Sequence, residues 1–260
     1  MNASTAARNG QRVPNPPPQQ GTKPSNNGHQ PPAKPTATIT TMIVCLPDGL
    51  SREPLTAHQL DRHFGVSGTL QPRFWSKSDL YLWQWRRLIG RSKAAKNQPV
   101  WCAGGPARLL DLTGMRQGAG MGAGIRHQLW QQAVQGTKPA QPWVHFHTRH
   151  VTEPDKYSYE QAAADFWQQP RVTAMRVHNA ANIGTPLAVD ELEMLQAGPL
   201  AYQHHSAMTA ICGDALLTAE GRQLAPASDA FNDRVTYLEQ AIRCLDTIAD
   251  TDQRLIAVSL

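Results

Sequence analysis

The sequence predicts an α+β protein: a first half in which strands and helices alternate, and a second half that is mostly helical. Three observations lead there. Short β-branched or alternating runs recur between 37 and 150, helical apolar periods dominate after 153, and the charge changes sign at about the same place. Residues 37–150 carry 14 Lys/Arg against 5 Asp/Glu, a net +9, whereas residues 151–260 carry 7 against 15, a net −8. The chain therefore divides into a tail (1–36), a basic domain (37–152) and an acidic, mostly helical domain (153–260).

Residues 1–36 hold eight Pro, no acidic and no aromatic residue, so they bury too little apolar surface to offset their ordering entropy; a disordered basic tail is expected. It has no apolar core of signal-peptide type. Ala37–Pro47 is rich in β-branched residues and reads as a buried strand. Thr56–Phe64 reads as a short helix closed by Gly65, and Ser78 caps a second, basic helix over Asp79–Arg91. Pro99–Ala103 and Ala107–Thr113 read as strands joined around Gly104-Gly105-Pro106. A glycine loop over Gly114–Gly124 leads into a helix over Ile125–Gln135, and Pro142–His150 alternates like a strand. With the basic helix treated as an insertion, 37–152 spells βαββαβ, the ferredoxin-like arrangement. Beyond it come helices over Tyr157–Gln168, Val189–Gln196, Ala201–Leu217 and Asp229–Ile248, with strands over Arg171–His178 and Arg254–Ser259.

A basic half points to a polyanion, because Lys and Arg at a phosphate release condensed counterions; nucleic acid is the partner expected. No apolar run approaches the roughly 18 residues of a membrane span. Cys45, Cys102, Cys212 and Cys244 are widely spaced, which reads as buried free thiols in a reducing, cytoplasmic compartment and speaks against a zinc ribbon.

Two places concentrate candidate phosphate contacts. On the basic helix, Tyr81, Leu82, Trp85, Leu88 and Ile89 form an apolar arc, leaving Arg86, Arg87, Arg91 and Lys93 around Trp83, where cations hold phosphates and an indole stacks a base. Arg73 and Lys77 precede this helix and Lys96 follows it. In the glycine loop, Gly118, Gly120 and Gly122 let backbone N–H groups approach an anion between Arg116 and Arg126. No Gly-Lys-Ser/Thr follows, and the stretch Gly124–Thr152 lacks the acidic residue a dinucleotide site needs, so no cofactor is expected. His145, His147 and Arg149 share one face of the expected strand, and His127 follows Arg126; these three histidines are the candidates for acid/base work at a 2′-hydroxyl. No carboxylate or thiolate accompanies them, so no metal site is expected.

A basic ferredoxin-like module with a glycine loop (Gly114, Gly118, Gly120, Gly122, Gly124) and an arginine-rich helix (Arg86, Arg87, Arg91) resembles the RAMP superfamily of CRISPR-associated RNA-binding proteins. The closest parallel is with repeat-RNA endonucleases, including type IV enzymes that carry an arginine-rich helical finger. The resemblance covers Ala37–His150. It implies metal-independent cleavage of a repeat hairpin and retention of the guide RNA among protein partners in a ribonucleoprotein. The glycine loop is central here rather than near the C-terminus, and no catalytic residue carries over. Two other classes stay open: a non-catalytic DNA-binding accessory or regulatory protein of a mobile element, and an enzyme that binds a phosphorylated cofactor at the glycine loop.

Overall fold

Strand β1 (Thr41–Leu46) forms where β-branched residues concentrate, and both its faces are buried. In this computed structural model the described residues are 39–46, 61, 65–93, 98–182, 184–228 and 230–260. The expected tail, Lys96 and all of the Thr56–Phe64 helix except Asp61 lie outside them. Contacts divide the chain into an α+β unit (37–123 with 203–260) and a helical unit (124–202). The compositional boundary at 152 falls inside the helical unit.

In the α+β unit, β8 (Arg254–Ser259) runs antiparallel to β1 from Thr41 opposite Ser259 to Leu46 opposite Arg254. On its other side β1 pairs in parallel with β6 (Ala215–Leu217), which turns into β7 (Gln223–Leu224). The outer edge of β8 takes β2 (Thr69–Leu70) at one end and β5 (Gly104–Pro106) at the other. The order is thus β2-β8-β1-β6-β7, drawn from both ends of the chain. The expected ferredoxin-like order over 37–152 is not confirmed, because the parallel neighbour of β1 comes from residue 215 onward.

Strand alternation splits the core. Ile43 and Cys45 join Leu216, Leu255 and Ala257 on one face, against Tyr237, Leu238, Ala241 and Leu245 of the helix Phe231–Ile248. Met42, Val44 and Leu46 join Ile256, Val258, Val66 and Ile89 on the other. A small ribbon, β3 (Phe74–Trp75) with β4 (Trp101–Cys102), stands apart from this sheet. Between them lies α1 (Leu82–Trp85), far shorter than the expected Asp79–Arg91 helix. The helix stops because Ile89 bonds Gly104 as a bridge and Gly90 takes a left-handed φ of 57°. An added Cβ at Gly90 would lie 3.0 Å from the Ala103 Cβ, so the close approach also favours glycine.

The expected glycine loop is helix. α2 (Leu112–Ala133) runs unbroken through Gly114–Gly124, and the expected strand Ala107–Thr113 is a 3₁₀ turn followed by its start. Asp111 caps it, its Oδ1 accepting the Gly114 N–H at 2.9 Å. Glycine lowers helix propensity by about 1 kcal/mol per residue, but packing favours it here. A Cβ on Gly118 would come 2.9 Å from the Trp75 ring, and one on Gly120 would meet the Gln203 carbonyl and Ala207.

The helical unit comprises the later part of α2, α3 (Trp143–Thr152), α4 (Tyr159–Gln168), α5 (Pro170–Ala180), α6 (Leu192–Gln196) and the start of α7 (Pro199–Cys212). Two expected strands are helices here. In α3, Trp143 and Phe146 meet Phe166, and His150 meets Tyr159, a spacing of i, i+3, i+7 that seats one helical face. In α5, Pro170 occupies the first turn and Val172 and Met175 are buried. The expected helix Ala201–Leu217 ends at Cys212, where Gly213 (φ 64°) turns the chain into β6. The helix Phe231–Ile248 is α8.

Candidate nucleic-acid interface

Backbone bonds hold three stretches together, Arg73–Ser76, Ile89–Ser92 and Val100–Ala103. The Arg73 N–H donates to the Cys102 carbonyl and the Ser76 N–H to the Val100 carbonyl, both at 3.0 Å. The Ser92 N–H donates to the Trp101 carbonyl at 2.8 Å, and the Trp101 N–H returns a bond to Ser92 Oγ at 3.1 Å. Ser92, between Arg91 and Lys93 in the chain, is thereby fixed beside Trp101. Leu88 and Ile89 are buried and anchor the segment, while the Trp85 indole donates to the Leu80 carbonyl at 3.0 Å.

What this framework leaves outside is aromatic and basic. Tyr81 is 70% exposed, Leu82 88%, Trp83 57% and Trp101 40%, so three rings can stack a base without rearrangement. Arg86, Arg91 and Lys93 are exposed as well. The Arg91 guanidinium stands 5.8 Å from the Trp85 ring centroid, and Trp101 meets Trp75 edge to face at 5.8 Å. Arg86 follows Trp83 by three residues at the end of α1, which sets the two side by side. Tyr81 and Leu82 were expected in the core, but the short helix turns them to solvent. Trp101 was not among the expected contacts. Period-two alternation against the buried Cys102 is the signal that marks it.

Most of the other expected phosphate contacts among the described residues already have partners within the protein. Arg87 pairs with Asp252 at 3.2 Å, a carboxylate that Arg108 also holds; these two arginines keep the Asp252 carboxyl below its ordinary range. Arg116 pairs with Asp246 at 3.4 Å. Arg126 donates to the Tyr202 hydroxyl at 3.1 Å, and that hydroxyl donates to Glu191 at 2.6 Å. Arg149 lies 4.2 Å from the centroid of the Tyr157 ring. Lys77 is half-buried, its backbone N–H bonded to the Leu109 carbonyl. Arg73 turns inward, where Nη2 donates to the Thr209 carbonyl at 2.7 Å. Gly118, Gly120 and Gly122 lie within α2, whose interior N–H groups bond along the helix rather than toward a ligand.

The candidate catalytic histidines are not gathered. His127 is buried, with Nε2 3.0 Å from the Leu195 carbonyl and the Trp130 and Tyr202 rings against it. His145 and His147, two residues apart on a helix rather than a strand, point to different sides of α3. His147 packs on Trp143, and His145 lines an open groove with Val144 and Arg149. Burial pushes the Cys102 and Cys212 thiols up to about 12, which removes them as thiolate nucleophiles. Among the described residues no group of three His, Cys, Asp or Glu can hold a metal ion, and no helix is long and apolar enough to cross a membrane. No family model, curated protein or solved structure matches the chain.

Proposed function

We propose that the chain binds single-stranded RNA through the Tyr81–Trp101 segment and serves within a ribonucleoprotein. The observation that carries this reading is the exposure of Tyr81, Trp83 and Trp101 among Arg86, Arg91 and Lys93, cations with no carboxylate within 4.0 Å among the described residues. Rings of this kind stack bases of any identity, and such cations follow a backbone. Binding is favoured over cleavage because the candidate histidines are buried or turned apart.

The test is fluorescence anisotropy with a labelled RNA of about 12 nucleotides. Trp83→Ala is expected to weaken binding by about 1–3 kcal/mol, roughly 5- to 150-fold. Unchanged affinity would remove the segment from the interface. A DNA strand of the same sequence reads the contribution of the 2′-hydroxyl, and a gel of the same samples in EDTA reads cleavage. A 2′,3′-cyclic phosphate product extends the function to processing.

A further inference from the structure

Cys45 on β1 and Cys244 on α8 come from distant parts of the chain and meet within the α+β unit, where the Cys45 thiol donates a hydrogen bond to the Cys244 sulfur. Strand alternation turns Cys45, with Ile43, toward α8, and Cys244 packs against the margin of the same apolar cluster. The two thiols stand differently toward solvent: Cys45 is 1% exposed, whereas Cys244 is only half-buried. The bond from Cys45 lowers the Cys244 pKa despite burial and the nearby Glu220 charge, and Arg222, on the turn between β6 and β7, acts in the same direction. Cys45 is pushed up by that same bond and by burial. The proton the two sulfurs share therefore rests on Cys45, and thiolate character falls on Cys244. A buried structural thiol is inert, as Cys102 and Cys212 are, but an accessible thiolate in contact with a second thiol is a reactive arrangement.

We propose that Cys45 and Cys244 form a hydroperoxide-reactive dithiol, in which Cys244 attacks the oxidant and Cys45 resolves it to an intramolecular disulfide. The Cys244 thiolate, its own proton already lost to solvent, attacks one oxygen of hydrogen peroxide. An S–O bond forms, the O–O bond breaks, and the leaving hydroxide takes the Cys45 proton to become water. The Cys45 thiolate then attacks the Cys244 sulfenic acid; the S–S bond forms, the S–O bond breaks, and the second hydroxide takes a proton from solvent. Two thiols are thereby oxidised to one disulfide while one peroxide is reduced to two water molecules. A low-molecular-weight thiol reverses the step by exchange, so in a reducing compartment the disulfide is transient. The new bond fastens α8 to β1, a strand paired on both sides within the sheet. This chemistry needs nothing from the RNA surface.

The experiment treats the reduced full chain with a stoichiometric amount of hydrogen peroxide, blocks the remaining thiols with N-ethylmaleimide, and maps tryptic peptides by mass spectrometry without reduction. A Cys45–Cys244 linkage within one chain is expected, with free thiols falling from four to two. Before oxidation, iodoacetamide at neutral pH should alkylate Cys244 about tenfold faster than Cys45 or Cys102. Cys45→Ala should halt the reaction at a Cys244 sulfenic acid that dimedone captures, and Cys244→Ser should leave the other thiols reduced. The wild-type map decides the matter even if Cys45→Ala fails to fold. Four free thiols after peroxide, a bond through Cys102 or Cys212, or a disulfide between two chains overturns the assignment.

Discussion

Around Trp83 and Trp101, rings and cations face solvent; along α2, residues of the same kinds face other parts of the protein. Both regions are basic and both were expected to meet phosphate. In the first, backbone bonds at Arg73, Ser76, Ile89 and Ser92 carry the fold, which leaves Trp83, Arg86, Arg91 and Lys93 available. In the second, Gly118 packs on Trp75, Arg116 pairs with Asp246 and Arg126 holds Tyr202. Composition alone does not distinguish a ligand contact from an internal one. The distinction depends on whether an acidic or aromatic partner from distant sequence has already taken the charge.

The largest effect that would sharpen this contrast involves an internally engaged basic group. Burial, with Arg234 nearby, lowers the His205 pKa to about 4 from an ordinary 6.5. The unfolded chain then binds a proton that the folded chain refuses, so stability falls as pH drops from 6.5 toward 4, by up to roughly 3 kcal/mol. Urea unfolding at several pH values should show this loss, and His205→Gln should flatten it. A profile unchanged by that substitution would show that His205 titrates freely.

Gly118→Leu comes next. If Gly118 seats Trp75, the variant loses about 1–3 kcal/mol in urea unfolding; a variant of unchanged stability would break the assignment of the glycine stretch to packing. By contrast Trp83→Ala should alter stability by less than about 0.5 kcal/mol, as a surface substitution does, while weakening RNA binding. Removing single charges is the smallest step. Arg116→Gln and Arg126→Gln should leave the salt dependence of RNA binding where it is, and a shallower dependence in either would return α2 to the interface.

Much of the fold was legible where one period dominated. Ala37–Pro47 and Arg254–Ser259 were read as strands, and β1 and β8 lie within them, side by side, although no local signal announces their pairing. A helix is expected over Asp229–Ile248, and the buried Tyr237, Leu238, Ala241 and Leu245 of α8 follow its period. The errors had identifiable causes. In α2, glycine content outweighed the cap at Asp111 and the buried series Met115, Ala123, His127, Trp130. In α3, the alternation over Pro142–His150 suggested a strand, yet Trp143, Phe146 and His150 already marked a helical face. The candidate site was legible in its residue types, since Trp83, Arg86, Arg91 and Lys93 were picked from the sequence. Its geometry was not, because the length of α1 is set by Gly90 and by the Ile89–Gly104 bridge rather than by the helix's own pattern. The pairing of Arg87 with Asp252 spans most of the chain and no local reading reaches it.

The central claim is that Arg86, Arg91 and Lys93 contact the backbone of a single strand. Its most direct measure is the slope of log affinity against log salt for a single-stranded RNA, in the wild-type chain and in the triple variant Arg86→Gln, Arg91→Gln, Lys93→Gln. Each phosphate contact on a single strand contributes about 0.7 to that slope, so the variant should lose about 2. A slope that does not change would contradict the account.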